Sequence, residues 1–387
     1  MPLIRRPLRS KTGFLLVKAG LPSGGSDRIR GHEPPLSPNA SSAARPRRPA
    51  GLTVAESLPD LAGHLTAQAI RDAAGLIAPH LHRTPLMRCA TLDRMTGCEV
   101  HLKAECFQKT GCFKPRGALN RIARLSPAER ERGVLAASAG NHAQGLAYAA
   151  AAGRIPVKVV MPEATPPAKI QATCSMGAEV ILHGEIFDDA LEEALRIAES
   201  TGMTFVHPAT DPWVVAGAGT VGLEIIEELP EFDALVCPVG GGGLLCGIGT
   251  AVRERLPGAR LFGVNASGAD AMSQSFRAGR VVRLERGRSI AEGIAGRAGI
   301  PGTLALMRGL VEDIVTVGER EILDAILLLL TRVKILAEGA GAAPLAALMA
   351  GKIPVAPGSR VVLVVSGGNL DIDMLSGWIL EGLPEPA

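Results

Sequence analysis

The stretch Ala234-Leu235-Val236-Cys237-Pro238-Val239-Gly240-Gly241-Gly242-Gly243-Leu244 decides how the rest of the chain is read. Its first half is a continuous apolar run without alternation, as a strand buried on both faces requires. Four glycines follow, and residues 244–256 then take on helical period. Without Cβ atoms, the N–H groups of such a loop can close around a phosphate at the positive end of the helix. A tight turn needs one or two glycines; four cost backbone entropy and point to a ligand. No Gly-Lys-Ser/Thr follows, and the loop is not G-x-G-x-x-G with a later acid. A nucleotide and a phosphorylated cofactor both stay open at this point.

The same pattern recurs outward from that stretch. Short β-branched runs at 133–138, 157–161, 179–182, 259–264 and 361–365 each lead into Gly, Pro, Ser or Asn and then a helix-period stretch such as 188–200. In residues 319–338, Ile322, Ile326, Leu329, Leu330 and Val333 make one apolar helical face. Apolar strands alternating with helices mean α/β architecture, with parallel sheets covered on both sides. Ligands in such folds sit beyond the carboxyl ends of strands. Two further strand-exit loops therefore stand out, Ser138-Ala139-Gly140-Asn141-His142 and Ser366-Gly367-Gly368-Asn369.

Composition narrows the function classes. Of 387 residues, 47% are hydrophobic and only 3% aromatic, which suits an α/β enzyme better than a nucleic-acid stacking platform. Residues 1–50 hold ten Lys/Arg against Asp27 and Glu33, with eight prolines. The other 337 residues hold 31 basic and 36 acidic side chains, a balance that disfavours nucleic acid as the partner. The first 50 residues read as disordered; a transit-like segment, a misassigned start and a plain disordered arm all stay open. Seven cysteines, with no C-x-x-C, fit a reducing compartment and a cytoplasmic location. No apolar run reaches 18 residues, so no membrane span is expected.

Upstream lies Gln108-Lys109-Thr110-Gly111-Cys112-Phe113-Lys114-Pro115-Arg116-Gly117-Ala118. Taken alone, Lys114 reads as an exposed surface lysine. Taken with the three loops, in this order and spacing, the segment resembles the serine/threonine dehydratases (threonine ammonia-lyases). This family belongs to fold type II of the pyridoxal-phosphate (PLP) enzymes, with tryptophan synthase β. The resemblance runs from Thr84-Pro85-Leu86 to Asn369 and includes Leu102-Lys103-Ala104-Glu105, Phe205-Val206-His207-Pro208, Ala216-Gly217-Ala218-Gly219-Thr220 and Ala337-Glu338-Gly339-Ala340-Gly341.

The resemblance implies two open twisted parallel-sheet domains. Residues 65–129 and 209–387 would form the large PLP-binding domain and 130–208 the small one, with 1–64 a disordered extension. With 18 residues following Asn369, no ACT-type regulatory domain is expected. Lys114 would form the Schiff base with the cofactor and Phe113 would pack near it. Asn141 would bond the pyridine 3′-oxygen. The amides of Gly240, Gly241, Gly242, Gly243 and Leu244 would hold the phosphate, and Ser366 would face the pyridine nitrogen. Ser138, Ala139, Gly140, Asn141 and His142 would receive the substrate carboxylate on backbone N–H groups.

The implied reaction is loss of water from L-threonine or L-serine, giving 2-oxobutanoate or pyruvate and ammonia, in a homo-oligomer. Serine racemase, 3-hydroxyaspartate ammonia-lyase, and a PLP- or nucleotide-binding regulator without turnover are the alternatives. Ala139 stands where racemases carry a serine acid, and a methyl group cannot deliver a proton. Cys112 replaces the usual serine. Asn265 and Ala271 stand where some relatives hold a divalent ion with Glu and Asp, so no metal site is expected.

Overall fold

The computed structural model describes residues 61–383. The first strands are β1 (Leu86–Arg88) and β2 (Glu99–Ala104), followed by β3 (Val134–Ala137), β4 (Val157–Met161), β5 (Glu179–Leu182) and β6 (Thr204–Phe205). Then come β7 (Ala234–Pro238), β8 (Arg260–Ala266), β9 (Asp313–Val317) and β10 (Arg360–Val365). One sheet has the order β1-β2-β10-β7-β8-β9 and the other β5-β4-β3-β6. All pairings are parallel except β1 with β2, an antiparallel edge strand on the larger sheet.

Both sheets are covered on both faces, as the apolar runs require. Val361, Leu363 and Val365 of β10 join Ala234 and Val236 of β7 in one core, beneath helix Gly339–Met349. Val362 and Val364 join Leu235 and Cys237 in the other, beneath helices Pro212–Glu228 and Gly243–Arg255. In the smaller sheet, Val134 and Ala136 face helix Asn141–Gly153, while Leu135 and Ala137 face helix Phe187–Thr201. Each such buried Val or Leu contributes about 1.5–3 kcal/mol.

Adjacent strands bring the loops together. Leu363 of β10 pairs with Val236 of β7, so residues 240–243 and 366–369 leave the larger sheet at the same end. The helices that follow pack closely. A Cβ on Gly247 would lie 2.5 Å from Val215 O and 2.7 Å from Gly219 N, so helices Pro212–Glu228 and Gly243–Arg255 touch backbone to backbone.

Two expectations need correction, and four strands escape the sequence pattern. Residues 1–60 lie outside the described residues, but Leu61–His64 is a short helix with Leu61 buried, so the expected extension 1–64 runs too far. The apolar face of 319–338 breaks, because helix Glu319–Leu328 gives way to a wider π-type turn at Leu329–Val333. Ile322, Ile326 and Leu329 are fully buried, whereas the extra residue in that turn rotates Leu330 out to 38% exposure. Strands β1, β2, β6 and β9 went unread from periodicity. In β2 the pattern is hidden because His101 and Lys103 are buried along with the apolar residues. No helix among the described residues is long and apolar enough to cross a membrane.

Candidate active site

Lys114 opens helix Lys114–Ala123, with Pro115 in a first-turn position where its missing N–H costs nothing. The turn before it is held to the larger sheet: Phe113 N donates to Ser366 O at 3.0 Å, and Cys112 bridges to Gly367. Lys114 Nζ lies 5.0 Å from the centre of the Phe113 ring and has no hydrogen-bond partner among the described residues. Burial pushes its pKa below the usual lysine value, and the neighbouring Cys112 and Glu338 offset this only in part. A lysine so placed gives up its proton more readily than an exposed one, which suits a nucleophile.

A fully paired charge cluster lies beneath it. Arg116, 1% exposed, donates from Nε to Glu105 Oε2 at 2.7 Å and from Nη1 to Glu224 Oε1 at 2.6 Å. Lys103, fully buried, donates to Thr84 O at 2.6 Å and lies 2.7 Å from Glu224 Oε2. Every charge there has an opposite partner.

The tetraglycine loop is the reverse case. Among the described residues, none of the five amides of Gly240, Gly241, Gly242, Gly243 and Leu244 has a partner. The loop is fixed from outside: Thr303 Oγ1 donates to Gly241 O at 2.7 Å, and Gly242 adopts φ +85°, a conformation glycine alone takes without strain. Gly243 begins the following helix, so its positive end adds to the field. A small cavity lined by Phe113, Lys114, Pro208, Val214, Gly243 and Leu244 joins the lysine to this loop. A larger cavity beside Arg288, Glu319 and Trp378 contains none of these groups. Convergent unpaired donors, rather than volume, mark the site.

Residues 138–142 leave β3 and begin helix Asn141–Gly153. Two of the five expected carboxylate donors are already engaged. Ser138 N donates to Val160 O at 3.1 Å as part of the sheet, and Gly140 N donates to Ser138 Oγ at 3.2 Å. Among the described residues the amides of Ala139, Asn141 and His142 have no partner, and the Ser138 hydroxyl proton is free to join them. The His142 ring is structural: Nε2 lies 2.9 Å from Val206 O, and burial, helped by the Lys114 charge, pushes its pKa down to about 3.

Ser366 follows β10, 3% exposed, with its hydroxyl unbonded among the described residues. Asn141 Nδ2 donates to Glu338 Oε1 at 2.8 Å and Oε2 at 3.0 Å, and Asn141 Oδ1 accepts from Asn369 Nδ2 at 2.8 Å. Glu338 and Asn369 were given no role from the sequence. The available signal was a lone carboxylate preceding the all-apolar helix Gly339–Met349. Asn265 donates from Nδ2 to Val239 O and Ile294 O and accepts from Ser273 N, so its side chain ties three loops together.

These groups fit a phosphorylated pyridine aldehyde: five phosphate donors, a lysine of lowered pKa, and neutral hydroxyl and amide groups for the ring. The profile of the family described as pyridoxal-phosphate dependent enzyme matches residues 77–367. The L-threonine ammonia-lyase of Thermotoga maritima is 48% identical over 319 residues, covering 82% of this chain and 79% of its own. The solved structure of the T.th. threonine deaminase is 41% identical, with a TM-score of 0.74 over 79% of this chain and 99% of that one. Maize serine racemase is 33% identical, with a TM-score of 0.78 over 82% of this chain and 98% of its own.

Proposed function

The chain belongs to the family of pyridoxal-phosphate dependent enzymes, and on that premise we propose that it removes water from L-threonine, and from L-serine, releasing the 2-oxo acid and ammonia. The observation that carries this is that Lys114, its pKa lowered, shares one cavity with Gly243 and Leu244, the end of a loop whose five amides at residues 240–244 have no partner among the described residues.

Bound pyridoxal phosphate supplies an electron-withdrawing ring that acidifies the substrate Cα–H. The protein does the rest. Lys114 Nζ would attach the cofactor and would then take the Cα proton as the base. Phe113 walls the lysine from water. The amides of Gly240, Gly241, Gly242, Gly243 and Leu244 hold the phosphate. Asn141 Nδ2 would donate to the ring's 3′-oxygen, and Ser366 Oγ would meet the pyridine nitrogen. A neutral hydroxyl there would not stabilise a protonated pyridine nitrogen as an aspartate carboxylate would, which would keep the ring's electron withdrawal moderate. The amides of Ala139, Asn141 and His142, with the Ser138 hydroxyl, orient the substrate carboxylate.

Residues 130–208, which hold the smaller sheet and the carboxylate loop, act as a unit that closes over substrate. The pairs Lys169–Glu292 at 2.5 Å and Asp188–Arg297 at 2.8 Å, each joining this segment to the rest, support that reading. The seven unpaired cysteines support a cytoplasmic location. Exposed Ile372, Ile379 and Leu380 on helix Ile372–Leu380 support a homo-oligomer. The acidic balance of the chain after residue 50 supports a small molecule, not nucleic acid, as partner.

The test is purified protein with PLP and a panel of L- and D-hydroxy amino acids, following oxo-acid release, with borohydride reduction and peptide mapping of the cofactor. Oxo acid from L-threonine and label on Lys114 are expected. No oxo acid from any member of the panel would overturn the reading.

A further inference from the structure

A polar chain, half-buried at Thr110, Asn141 and Glu338 and exposed at Asn369, runs from Thr110 to Glu338 through two amides, and its polarity is set at one end. Asn369 Nδ2 donates to Thr110 O at 2.8 Å. A backbone carbonyl can only accept, so this end of the Asn369 amide must be its nitrogen. The second N–H of Asn369 then goes to Asn141 at 2.8 Å, so the Asn141 atom there must be Oδ1. Asn141 Nδ2 is thereby turned toward Glu338. An ionised carboxylate only accepts, so both ends of the chain demand the same amide orientation. The two Glu338 oxygens belong to one carboxylate and share one N–H of Asn141, which leaves the other N–H unclaimed.

The backbone makes room for this chain at two glycines. A Cβ on Gly111 would run into Asn369 Oδ1, and Gly111 itself sits at φ +71°. A Cβ on Gly367 would lie 2.6 Å from Glu338 Oε1. The lysine turn, the loop after β3, the loop after β10 and the start of helix Gly339–Met349 each supply one member or one gap.

We infer that Glu338 and Asn369 are positioning residues that lock the Asn141 amide in the orientation presenting one N–H to the cofactor's 3′-oxygen. This rests on the reading that places the cofactor at Lys114. Reversed, the amide would set Oδ1 against the Glu338 carboxylate and offer an acceptor to an oxygen.

The lock depends on the charge of Glu338. Burial raises its pKa to about 7; the Asn141 bond, Lys114 and Lys169 pull the other way, and Glu292 pushes it further up. The neighbouring thiols of Cys112 and Cys106 are themselves pushed up by burial, to about 12 and about 11, and stay neutral. Above about pH 7 the carboxylate accepts and the amide is fixed. Below it the protonated acid can donate as well as accept, so the Glu338 end no longer demands one orientation and the contact with Asn369 alone holds the amide.

The experiment uses holoenzyme and measures PLP affinity by equilibrium dialysis and the visible cofactor band from pH 5.5 to 9. Glu338→Gln, which removes the charge at constant size, should weaken PLP binding roughly tenfold and abolish the spectral transition near neutral pH. Glu338→Asp should recover most of the affinity and the transition. Asn369→Ala, which frees the other end, should weaken binding about threefold and broaden the band. Parent-like affinity, within about twofold, and a parent-like titration in Glu338→Gln would overturn the inference. Should Glu338→Gln fail to fold, an Asn369→Ala spectrum identical to the parent's overturns it instead. Borohydride labelling separates the two levels. Label on a lysine other than Lys114 sinks the proposed function and this inference together; label on Lys114 with indifferent variants sinks the inference alone.

Discussion

Two sets of polar groups flank Lys114, and they differ in whether their bonding capacity is filled. Below it, Arg116, Lys103, Glu105 and Glu224 satisfy one another within a nearly dry pocket. Above it, the amides of residues 240–244 and of Ala139, Asn141 and His142 point at nothing the described residues supply. Buried polar groups are normally paired, so the filled set reads as architecture and the unfilled set as a place for a ligand. Charge alone would have misled, because the most heavily charged cluster in the neighbourhood is the structural one.

The contrast breaks most sharply at Lys114. Lys114→Ala should cost several orders of magnitude in oxo-acid production while thermal unfolding stays near the parent's. Substantial remaining turnover would remove the lysine from the unfilled set. Arg116→Met probes the other side. It leaves the buried Glu105 without a cation and Glu224 with Lys103 alone, and should lower unfolding free energy by about 3–5 kcal/mol in urea titrations of the apoprotein. A parent-like midpoint would mean the cluster is not architecture.

Gly242→Ala tests the loop. At φ +85°, with a new Cβ 3.0 Å from Thr303 Cβ and Met307 Cε, the residue is strained by about 1–2 kcal/mol. PLP affinity should drop about tenfold by dialysis, a strain of that size being worth roughly that factor. Unchanged affinity would detach the loop from the phosphate.

His142 belongs to both sets, since its ring Nε2 is bonded to Val206 O while its ring Nδ1 and its amide have no partner among the described residues. Burial holds the pKa of His142 at about 3 and of His207 at about 4, while an unfolded imidazole titrates near the ordinary 6.5. The unfolded chain therefore binds more protons below about pH 6.5, so stability is full above that value and falls as pH drops toward 4. Melting temperatures of the apoprotein between pH 4.5 and 7 should show this slope, and His142→Phe should flatten it. The smallest effect is expected from Ala139→Ser, which places a hydroxyl among the unpaired amides. It should yield a minor fraction of D-serine from L-serine by chiral chromatography, with elimination still dominant. Parent protein that already makes D-serine as fast as oxo acid would reverse the ranking of the two activities.

Much of this was legible before any coordinates, for a physical reason. Strands β3, β4, β5, β7, β8 and β10 are short apolar runs ending in loop formers, and that pattern needs no partner to be seen. Strand β2 was opaque because Lys103 owes its burial to Glu224, a residue far along the chain. The break after Leu328 was opaque for a different reason, since a wider turn leaves no mark in an apolar periodicity. Lys114 gave no local signal at all and gained meaning only from the loops around it. The roles of Asn369 and Glu338 depend on a direction of hydrogen bonding passed across four segments. No single motif contains that direction.

Strand β10 is the last of the described strands in the chain, yet it lies between β2 and β7 in the middle of the larger sheet. A ribosome therefore releases both neighbours long before the strand that joins them. Until residues 360–365 emerge, β2 and β7 each present an open hydrogen-bonding edge, the kind of edge that recruits other chains. The same late segment carries Ser366 and Asn369. Synthesis itself thus enforces an order of events: the sheet closes first, and only a chain translated past that point can grip its cofactor.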